Sequence, residues 1–300
     1  MIRWIRRAVT AIVMALLCIG LCAQTVFFPR VRADETVLDE NGLSALQAIV
    51  YDTSSGEILF RKTNSTGKLY PASTTKLFSA FVALQYLQPE ELITAGDELE
   101  FVADDASLAY IFRGQTLTVS MLVEGMMLPS GNDAAYVLAA GAGRKIAQDP
   151  QLNYAEAVHI FVDQMNATAR ELGLHDSHFM NPDGYHVGSH YTSVSDMVRI
   201  AELALGNPTI AQHAAILQDD VTYASGEIIT WYNTNSLLDP ESQYYRQDAC
   251  GLKTGLSDNA GHCLVSAFRR DSGYRIIAVF GCPDSSSRMQ DIHTLLAMFE

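Results

Sequence analysis

The chain has 300 residues, a net charge of −14 and a hydrophobic content of 48%. This composition is that of a globular protein with one large domain or two small ones. The first 33 residues contain five arginines and no acid, so the remainder carries a still more negative charge of −19. So acidic a body is repelled by nucleic acid and by anionic membrane surfaces, which excludes nucleic acid as a partner.

The N-terminal segment 1–33 has the pattern of an export signal. Three arginines precede the uncharged apolar stretch 8–22, and Ala23 and Ala33 offer cleavage sites. If the apolar run is extended to Phe28, it is about long enough to span a bilayer, so an uncleaved anchor is the alternative. Both interpretations predict export to the cell wall or periplasm, with membrane contact only if the segment is uncleaved.

The residues that follow predict an acidic leader and then two strands. The leader covers residues 34–43, and the strands 44–51 and 57–62 flank a polar turn with a glycine. A helix is predicted at 74–87. It is apolar on nearly every face, so we expect it to be buried at the centre of the domain.

The rest of the chain is helical at first and then returns to strands. Helices are predicted at about residues 118–127, 132–142, 154–172, 193–205 and 286–299. Strands at 261–269 and 274–281 flank a turn with Gly273, which is a hairpin signal. This order predicts an α+β fold, with one antiparallel sheet formed from both chain ends and a helical region inserted between them. No linker divides residues 44–300, which we interpret as one domain.

The sequence STTK at residues 73–76 places a serine and a lysine at the start of the predicted central helix. A serine needs a base within hydrogen-bond reach to act as a nucleophile, and positions i and i+3 share one helix face. Burial by the following apolar residues would lower the pKa of Lys76, as a base requires. A plain helix N-cap is the alternative for Ser73. The same spacing in STGK at 65–68 lies in a turn, where no such contact is expected.

Two further motifs carry groups that suit a peptide-binding cleft. In SGN at residues 130–132, the hydroxyl of Ser130 can pass a proton to a leaving amine, and the amide of Asn132 can hold a peptide group. In KTG at residues 253–255, a glycine on a strand leaves the backbone open for a peptide that adds as a further strand. A helix cap and an ordinary exposed strand are the respective alternatives.

Lysine usage favours the functional interpretation of these motifs. The chain has only five lysines, and Lys76 and Lys253 both lie in the motifs. The three motifs also follow one another in the order and the strand or helix context that such a site requires. A second serine-x-asparagine, at residues 257–259, directly follows the third motif and is interpreted as a turn.

Taken together, the three motifs resemble the signature of penicillin-binding proteins and serine β-lactamases. The flanking sequences are similar to those of the low-molecular-weight D-alanyl-D-alanine carboxypeptidases of the S11 peptidase family, over residues 40–300. These sequences are LYPASTTKL, MLPSGNDAAYVLA, HFMNPDGYH with YTSVSDM, NTNSLL and GLKTGLSDNAGHCLVSA. The resemblance implies a β-lactamase/transpeptidase-like fold and a serine peptidase that needs neither a cofactor nor a metal.

The resemblance also implies catalytic roles for the first two motifs. Ser73 attacks the carbonyl between two D-alanines, which releases D-alanine and leaves an acyl-enzyme, and Lys76 takes the proton of Ser73. Ser130 relays a proton to the departing amine, and Asn132 binds the amide on the acyl side. The implied partners are a peptidoglycan stem peptide ending in D-Ala-D-Ala and the β-lactam antibiotics, which resemble it.

The third motif is implied to bind the substrate. Lys253 supplies positive charge, Thr254 meets the terminal carboxylate, and Gly255 belongs to the strand along which the peptide lies. The backbone N–H groups of Ser73 and Leu256 would form the oxyanion hole. Some relatives carry histidine where this chain has Leu256. Many relatives also continue into a β-rich domain and an amphipathic membrane helix, so attachment through such a helix is not expected here.

Three alternative functions remain open. A D,D-endopeptidase would cut cross-linked rather than terminal peptide. A class A β-lactamase would carry aspartate in place of Gly131 and a glutamate in a Glu-x-x-Leu-Asn pattern, whereas the nearest match, residues 149–153, begins with aspartate. An inactive cell-wall-binding protein would not be acylated by penicillin.

A zinc peptidase and a disulfide framework are both disfavoured. His175, His178, Asp183, His186 and His190 lie close together in the sequence, but two glycines interrupt any helix that would align them as zinc ligands. Surface-loop residues are therefore the favoured interpretation of the four histidines. After the signal, Cys250, Cys263 and Cys282 remain, an odd number without a C-x-x-C pair. Whether Cys263 and Cys282 are bonded stays open.

Overall fold

The computed structural model describes residues 30–31, 42–64 and 66–299. The apolar part of the predicted export segment and most of the acidic leader lie outside these residues, so both boundaries stay predictions. At the end of the leader, Leu43 is buried, and its carbonyl accepts a hydrogen bond from Lys62 Nζ at 3.1 Å. Within the part of the chain that is described, no helix has the length and apolar character needed to cross a membrane.

The described residues form ten strands and seven α-helices. The strands are β1 (Arg30–Val31), β2 (Gln47–Asp52), β3 (Glu57–Lys62), β4 (Leu92–Thr94), β5 (Thr116–Thr118), β6 (Gln218–Thr222), β7 (Ile228–Tyr232), β8 (Ala249–Ser257), β9 (Gly261–Arg269) and β10 (Tyr274–Cys282). The helices are α1 (Thr75–Ala83), α2 (Val119–Met127), α3 (Asn132–Ala147), α4 (Tyr154–Glu171), α5 (Val194–Gly206), α6 (Pro208–Ala214) and α7 (Ser285–Met298).

The central sheet joins strands from both ends of the chain. Its order is β1-β3-β2-β10-β9-β8, and every neighbouring pair is antiparallel except β1 with β3. The predicted architecture is therefore confirmed. Because β8 occupies an edge of this sheet, one side of the strand that carries the third motif is open to a further strand.

Alternation along the strands divides the hydrophobic core between the two faces of the sheet. On β10, Ile276 and Ala278 pack with the helical region, whereas Ile277 and Val279 pack with α7. Successive side chains of a strand point to opposite faces, so a continuous apolar run is required where both faces are covered. The helical region, α1 to α6, thus covers one face, and α7 covers the other.

Helix α1 is buried at the centre of the helical region, as its composition predicts. Eight of its nine residues are buried. The helix ends at Ala83 and not at Leu87, which corrects the predicted boundary. The next residues form tighter i→i+3 hydrogen bonds, such as Tyr86 N to Ala83 O at 3.0 Å, ahead of Pro89. Proline disfavours helical backbone at the residue before it, so a helix could not have continued through Gln88 in any case.

Local sequence patterns predicted neither β1 nor α6, nor the two-stranded sheets β4–β5 and β6–β7. These elements are short, and their periodicity is correspondingly weak. Helix α6 begins with Pro208, and the side chain of Asn207 accepts hydrogen bonds from the first free N–H groups of the helix. Helix α3 continues to Ala147, five residues beyond its predicted end, which corrects that boundary too. The remaining helices and strands with predicted bounds begin and end close to them.

Candidate active site

Ser73 lies in a 3₁₀ turn, Ala72–Thr74, that leads directly into α1. One helical turn later, Lys76 is completely buried, and its Nζ lies 2.9 Å from Ser73 Oγ. The contact between Ser73 and Lys76 that the i, i+3 spacing predicted is therefore present. In the STGK copy, Ser65 lies outside the described residues, but the N–H of Gly67 bonds to the carbonyl of Asn64, which is the predicted turn.

The ammonium of Lys76 is held by groups from three parts of the chain. Besides Ser73, it donates to Asn132 Oδ1 at 2.7 Å and to the backbone carbonyl of Asp183 at 2.9 Å. Burial lowers the pKa of Lys76 to about 8, against the opposing effect of the carboxylates of Asp183 and Asp133. A lysine with this pKa exists in both protonation states near neutral pH.

The two acceptors direct the lone pair of Lys76. A neutral amine has two N–H donors and one lone pair, whereas an amide oxygen and a backbone carbonyl can only accept. If the N–H groups stay on Asn132 Oδ1 and Asp183 O, the lone pair is left facing the Ser73 hydroxyl. The arrangement can thus remove the proton of Ser73 without moving any heavy atom.

The second motif forms a sharp turn between α2 and α3. Ser130 is buried and has a positive φ of 65°, and Asn132 begins α3. A Cβ at Gly131 would lie 2.7 Å from the Cβ and 2.8 Å from the backbone N of Ala109. An aspartate at this position, as in a class A β-lactamase, therefore does not fit against the loop that contains Ala109. No hydrogen bond joins the Ser130 hydroxyl to another described residue.

Asp133 fixes the loop around Ala109, opposite the second motif, and the sequence motifs did not indicate this role. Its carboxylate accepts hydrogen bonds from the N–H groups of Ala109 at 2.8 Å, Ile111 at 2.9 Å and Ala134 at 2.9 Å. Burial raises the pKa of Asp133, and these three bonds oppose that shift. The available signal was an acid in the first turn of a predicted helix, where it meets free N–H groups.

The third motif lies on the edge strand β8, beside the nucleophile. A Cβ at Gly255 would lie 3.0 Å from the carbonyl oxygen of Pro71 and 3.3 Å from the backbone N of Ser73. A larger residue would therefore push β8 away from the turn that carries Ser73. Thr254 Oγ1 lies 2.5 Å from Thr234 Oγ1, in the NTNSLL segment.

Lys253 is a second buried lysine whose charge interacts with that of Lys76. It is 1% exposed, and among the described residues its Nζ has no hydrogen-bond partner. Burial holds the pKa of Lys253 well below its usual range, and the charges of Lys76 and Arg288 lower it further. A negatively charged group nearby would raise this pKa and be bound by the ammonium in return.

A cavity of about 440 Å³ opens above these groups. Ser73, Asn132 and Leu256 line it, whereas Lys76 and Lys253 are buried. Leu256 is 61% exposed, so its side chain points out of the sheet towards solvent. Of the residues predicted for the site, the structure thus brings Ser73, Lys76 and Asn132 into direct contact and places the backbone of the third motif against Ser73.

His190 does not lie on the surface, so the interpretation as a surface-loop histidine is wrong for it. It is 2% exposed, its Nε2 lies 3.0 Å from Thr75 Oγ1, and its Nδ1 accepts the N–H of Met180 at 3.2 Å. Because Nδ1 accepts, Nε2 carries the proton. Burial lowers the pKa of His190 to about 3, so the ring is a neutral link between the 180–191 loop and α1.

Neither a metal centre nor a disulfide forms in the described part of the chain. The histidines and carboxylates described do not gather in any group of three that could hold a metal ion. Cys250, Cys263 and Cys282 are buried free thiols. On β10, Cys282 stands opposite His262 in the sheet register, and not opposite Cys263.

Comparisons with known proteins agree with the geometry of this site. The family model described as D-alanyl-D-alanine carboxypeptidase matches residues 34–283. A protein of that name from Streptomyces sp. (strain K15) is 32% identical over 267 residues, which cover 85% of this chain and 87% of the relative. The carboxypeptidase DacF from Bacillus subtilis (strain 168) is 27% identical, and the match covers 84% of this chain but only 61% of DacF.

Two solved structures are similar over most of the chain. The Streptomyces K15 DD-transpeptidase has a TM-score of 0.76 at 30% identity, over 85% of this chain and 96% of its own. Penicillin-binding protein D2 from Listeria monocytogenes, in a cefotaxime-bound form, has a TM-score of 0.68 at 26% identity, over 85% and 96%. The extent of the family match, together with the site, shows that this chain belongs to the S11 family of peptidases, the D-alanyl-D-alanine carboxypeptidases.

Proposed function

We propose that the protein is a serine D-Ala-D-Ala carboxypeptidase that removes the terminal D-alanine of peptidoglycan stem peptides. The observation that carries this proposal is the contact of buried Lys76 with Ser73, with two acceptors that direct the lone pair of the amine. Family membership supports the same reaction class. The carboxypeptidase name of the relatives favours a terminal bond over the cross-links that an endopeptidase cuts.

Acylation begins at Ser73. Its Oγ attacks the carbonyl carbon of the scissile amide while its proton passes to neutral Lys76. The carbonyl oxygen becomes an oxyanion, which the backbone N–H groups of Ser73 and Leu256 would bind. The close approach of Gly255 to the N of Ser73 supports this placement, because it brings β8 beside the nucleophile.

The leaving group needs a proton and a binding site for its carboxylate. When the C–N bond breaks, the amine of D-alanine takes a proton by way of the Ser130 hydroxyl, and Lys76 supplies the replacement. Lys253 and Thr254 are assigned to the terminal carboxylate, since a buried ammonium with no hydrogen-bond partner among the described residues favours an anion. Asn132 is assigned to the amide on the acyl side.

Deacylation completes the reaction. Water attacks the acyl ester while Lys76 takes a proton from it. Lys76 then passes this proton to Ser73 Oγ, which regenerates the serine and releases the shortened peptide. A transpeptidase would use an amine in place of water, and the similar Streptomyces structure is described by that activity. Both reactions share the acyl-enzyme, so they differ only in the acceptor.

We further propose that the protein acts outside the cytoplasm and is inhibited by β-lactams. The basic and then apolar N-terminal segment supports export, and the substrate lies in the cell wall. A β-lactam resembles D-Ala-D-Ala, and the similar Listeria structure holds cefotaxime. When Ser73 opens a β-lactam, the C–N bond of the ring breaks but the amine stays attached to the acyl group. The leaving group therefore remains in the site, where it hinders the attack of water and makes the ester long-lived.

Intact mass tests the proposal. After a short incubation with benzylpenicillin, we expect one adduct on the wild type, none on Ser73→Ala, and one on Ser65→Ala, which removes the serine of the STGK copy. D-alanine release from a pentapeptide then identifies the carboxypeptidase, and an added amine acceptor detects transpeptidation. No adduct on folded wild-type protein would sink the active-enzyme proposal and favour a wall-binding role.

A further inference from the structure

A second cavity lies directly beside the catalytic one. Its volume is about 380 Å³, and we call it the upstream cavity; Gln47, Lys68, Tyr70, Tyr191 and Asn259 are among the residues that line it. Asn259, in the turn between β8 and β9, lines both cavities. The two are also neighbours through an edge-to-face ring contact of Tyr70 with His186, at 4.6 Å between centroids.

Gln47 brings a buried acceptor without a donor to the wall of the upstream cavity. Gln47 is 2% exposed, and its Nε2 donates to the carbonyl of Lys68 at 2.9 Å. Its Oε1 has no hydrogen-bond partner among the described residues. A buried amide oxygen left unpaired costs about 1–3 kcal/mol. An N–H group that entered the cavity would remove this cost, so the side chain favours a ligand with amide donors.

The cavity also contains a positive charge and apolar walls. Lys68 Nζ lies 3.9 Å from the centroid of the Tyr191 ring, which holds the ammonium at the cavity. Leu46 and Phe280 add apolar surface. A ligand that suits this lining has an amide N–H, a short aliphatic part and a carboxylate. A peptide with a free acid has all three.

The short separation of Ser73 from Tyr70, which lines the upstream cavity, fits a peptide that is already bound at Ser73. Tyr70 precedes Ser73 by three residues, so their Cα atoms are at most about 11 Å apart. An extended peptide advances by roughly 3.3 Å per residue, so two or three residues before the scissile bond span this distance. A peptide added to β8 and running past Leu256 would reach the β8–β9 turn, where Asn259 lines both cavities.

We propose that the upstream cavity binds the part of the stem peptide that precedes D-Ala-D-Ala. A backbone N–H of that part donates to Gln47 Oε1, and a free carboxylate of the peptide pairs with Lys68. This inference rests on the proposed function, since it assigns a second contact to the same substrate. It makes the enzyme selective for stem peptides over short acyl-D-Ala-D-Ala compounds.

The test compares long and short substrates. The probes are L-Ala-γ-D-Glu-L-Lys-D-Ala-D-Ala, its D-isoglutamine form without the free carboxylate, and diacetyl-L-Lys-D-Ala-D-Ala. We expect kcat/KM of the wild type to be highest for the first probe. Gln47→Met should lower kcat/KM for this probe about tenfold, which corresponds to one hydrogen bond, and Lys68→Met about threefold, as for an exposed ion pair. Both variants should leave turnover of the diacetyl tripeptide and acylation by benzylpenicillin unchanged. Lys68→Met should also abolish the preference over the isoglutamine form.

Two controls separate the possible outcomes. Lys145→Met removes a lysine that pairs with Glu91 at 2.7 Å, away from both cavities, and should change none of these values. Equal kcat/KM of the wild type for the long and the short substrates would overturn the proposal. Equal losses of kcat/KM on all substrates in Gln47→Met and Lys68→Met would also overturn it. Binding of the first probe to Ser73→Ala, with and without Gln47→Met, tests the cavity independently of turnover. If the wild type is not acylated, the proposed function fails, but loss of this binding still supports the cavity.

Discussion

Among single residues, Lys76 has the environment that decides which proton transfer the site can support. Burial favours the neutral amine, and two carboxylates nearby limit that effect, so the pKa falls only to about 8. A fully desolvated lysine without such carboxylates would lose its proton and could not return it to the leaving group. Both the removal and the return of a proton are therefore accessible near neutral pH.

The rate of acylation should follow the deprotonation of Lys76. Because the neutral amine is the base and its pKa is about 8, the rate with benzylpenicillin should rise about tenfold per pH unit below pH 8 and level off above it. Quenched-flow mass spectrometry between pH 6 and 9.5 would measure this profile. Lys76→Met should be slow at every pH, and a flat wild-type profile would contradict the role of Lys76 as base.

Gly255 should be sensitive to a single added methyl group. In Gly255→Ala the Cβ meets the carbonyl of Pro71 at 3.0 Å, so β8 must move away from Ser73. Overpacking of this kind costs about 1–3 kcal/mol, and we expect acylation to slow by tenfold or more. Gly206→Ala is the matched control, since nothing lies within 4 Å of its added Cβ. Equal acylation rates for the two variants would show that the close approach is unimportant.

At the scale of elements, the loop over residues 107–111 is held from two sides. Asp133 on α3 accepts its N–H groups, and from the β6–β7 side Trp231 Nε1 donates to the carbonyl of Ala109 at 2.9 Å. Tyr223 Oη donates to the same carbonyl at 3.0 Å. Since Ser107 lines the catalytic cavity and its carbonyl binds the N–H of Asn132, these elements position one wall of the site.

Removal of Asp133 should therefore affect stability and activity together. Asp133→Ala leaves the N–H groups of Ala109 and Ile111 without their acceptor, at a cost of about 2–4 kcal/mol, and frees the loop. We expect a lower melting temperature and at least tenfold slower acylation. Asp196→Ala is the control, because Asp196 likewise lies in the first turn of a helix and binds a loop, through Asp176 N. It should lower stability only; slower acylation there as well would point to a general effect of destabilisation.

Over the whole molecule, the sheet couples the two hydrophobic cores. Strands from both chain ends pair within it, and each inner strand contributes side chains to both faces. Neither core can come apart without exposing the other side of the same strands. Unfolding should accordingly be a single cooperative transition.

A substitution on one face of the sheet should be detected on the other. Ile292→Ala on α7 removes a completely buried side chain and should cost about 2–5 kcal/mol. Trp231 lies in the core on the opposite face and is the single tryptophan of residues 34–300. In urea, the unfolding midpoint measured by tryptophan fluorescence should shift as much as the midpoint measured by far-ultraviolet ellipticity. A tryptophan midpoint that stays at the wild-type value would show that the faces unfold separately.

The sequence by itself determined the order of the longer helices and of the sheet strands β2, β3, β9 and β10, as well as the three motifs. Alternation and helical periodicity are local patterns, so they predicted the strands β2, β3, β9 and β10 and most helices close to their observed bounds. The spacing of Ser73 and Lys76 fixed their contact, because both lie on one helix face. The family resemblance was equally available, since the flanking sequences carry it.

Only the tertiary structure decided how the motifs act on one another. The acceptors of Lys76 come from positions 56 and 107 residues away, and a local pattern does not register contacts over such separations. The burial of His190 depends in the same way on its packing against Thr75. The unpaired oxygen of Gln47 and the upstream cavity also result from the packing of distant segments, which no periodicity or spacing in the chain encodes.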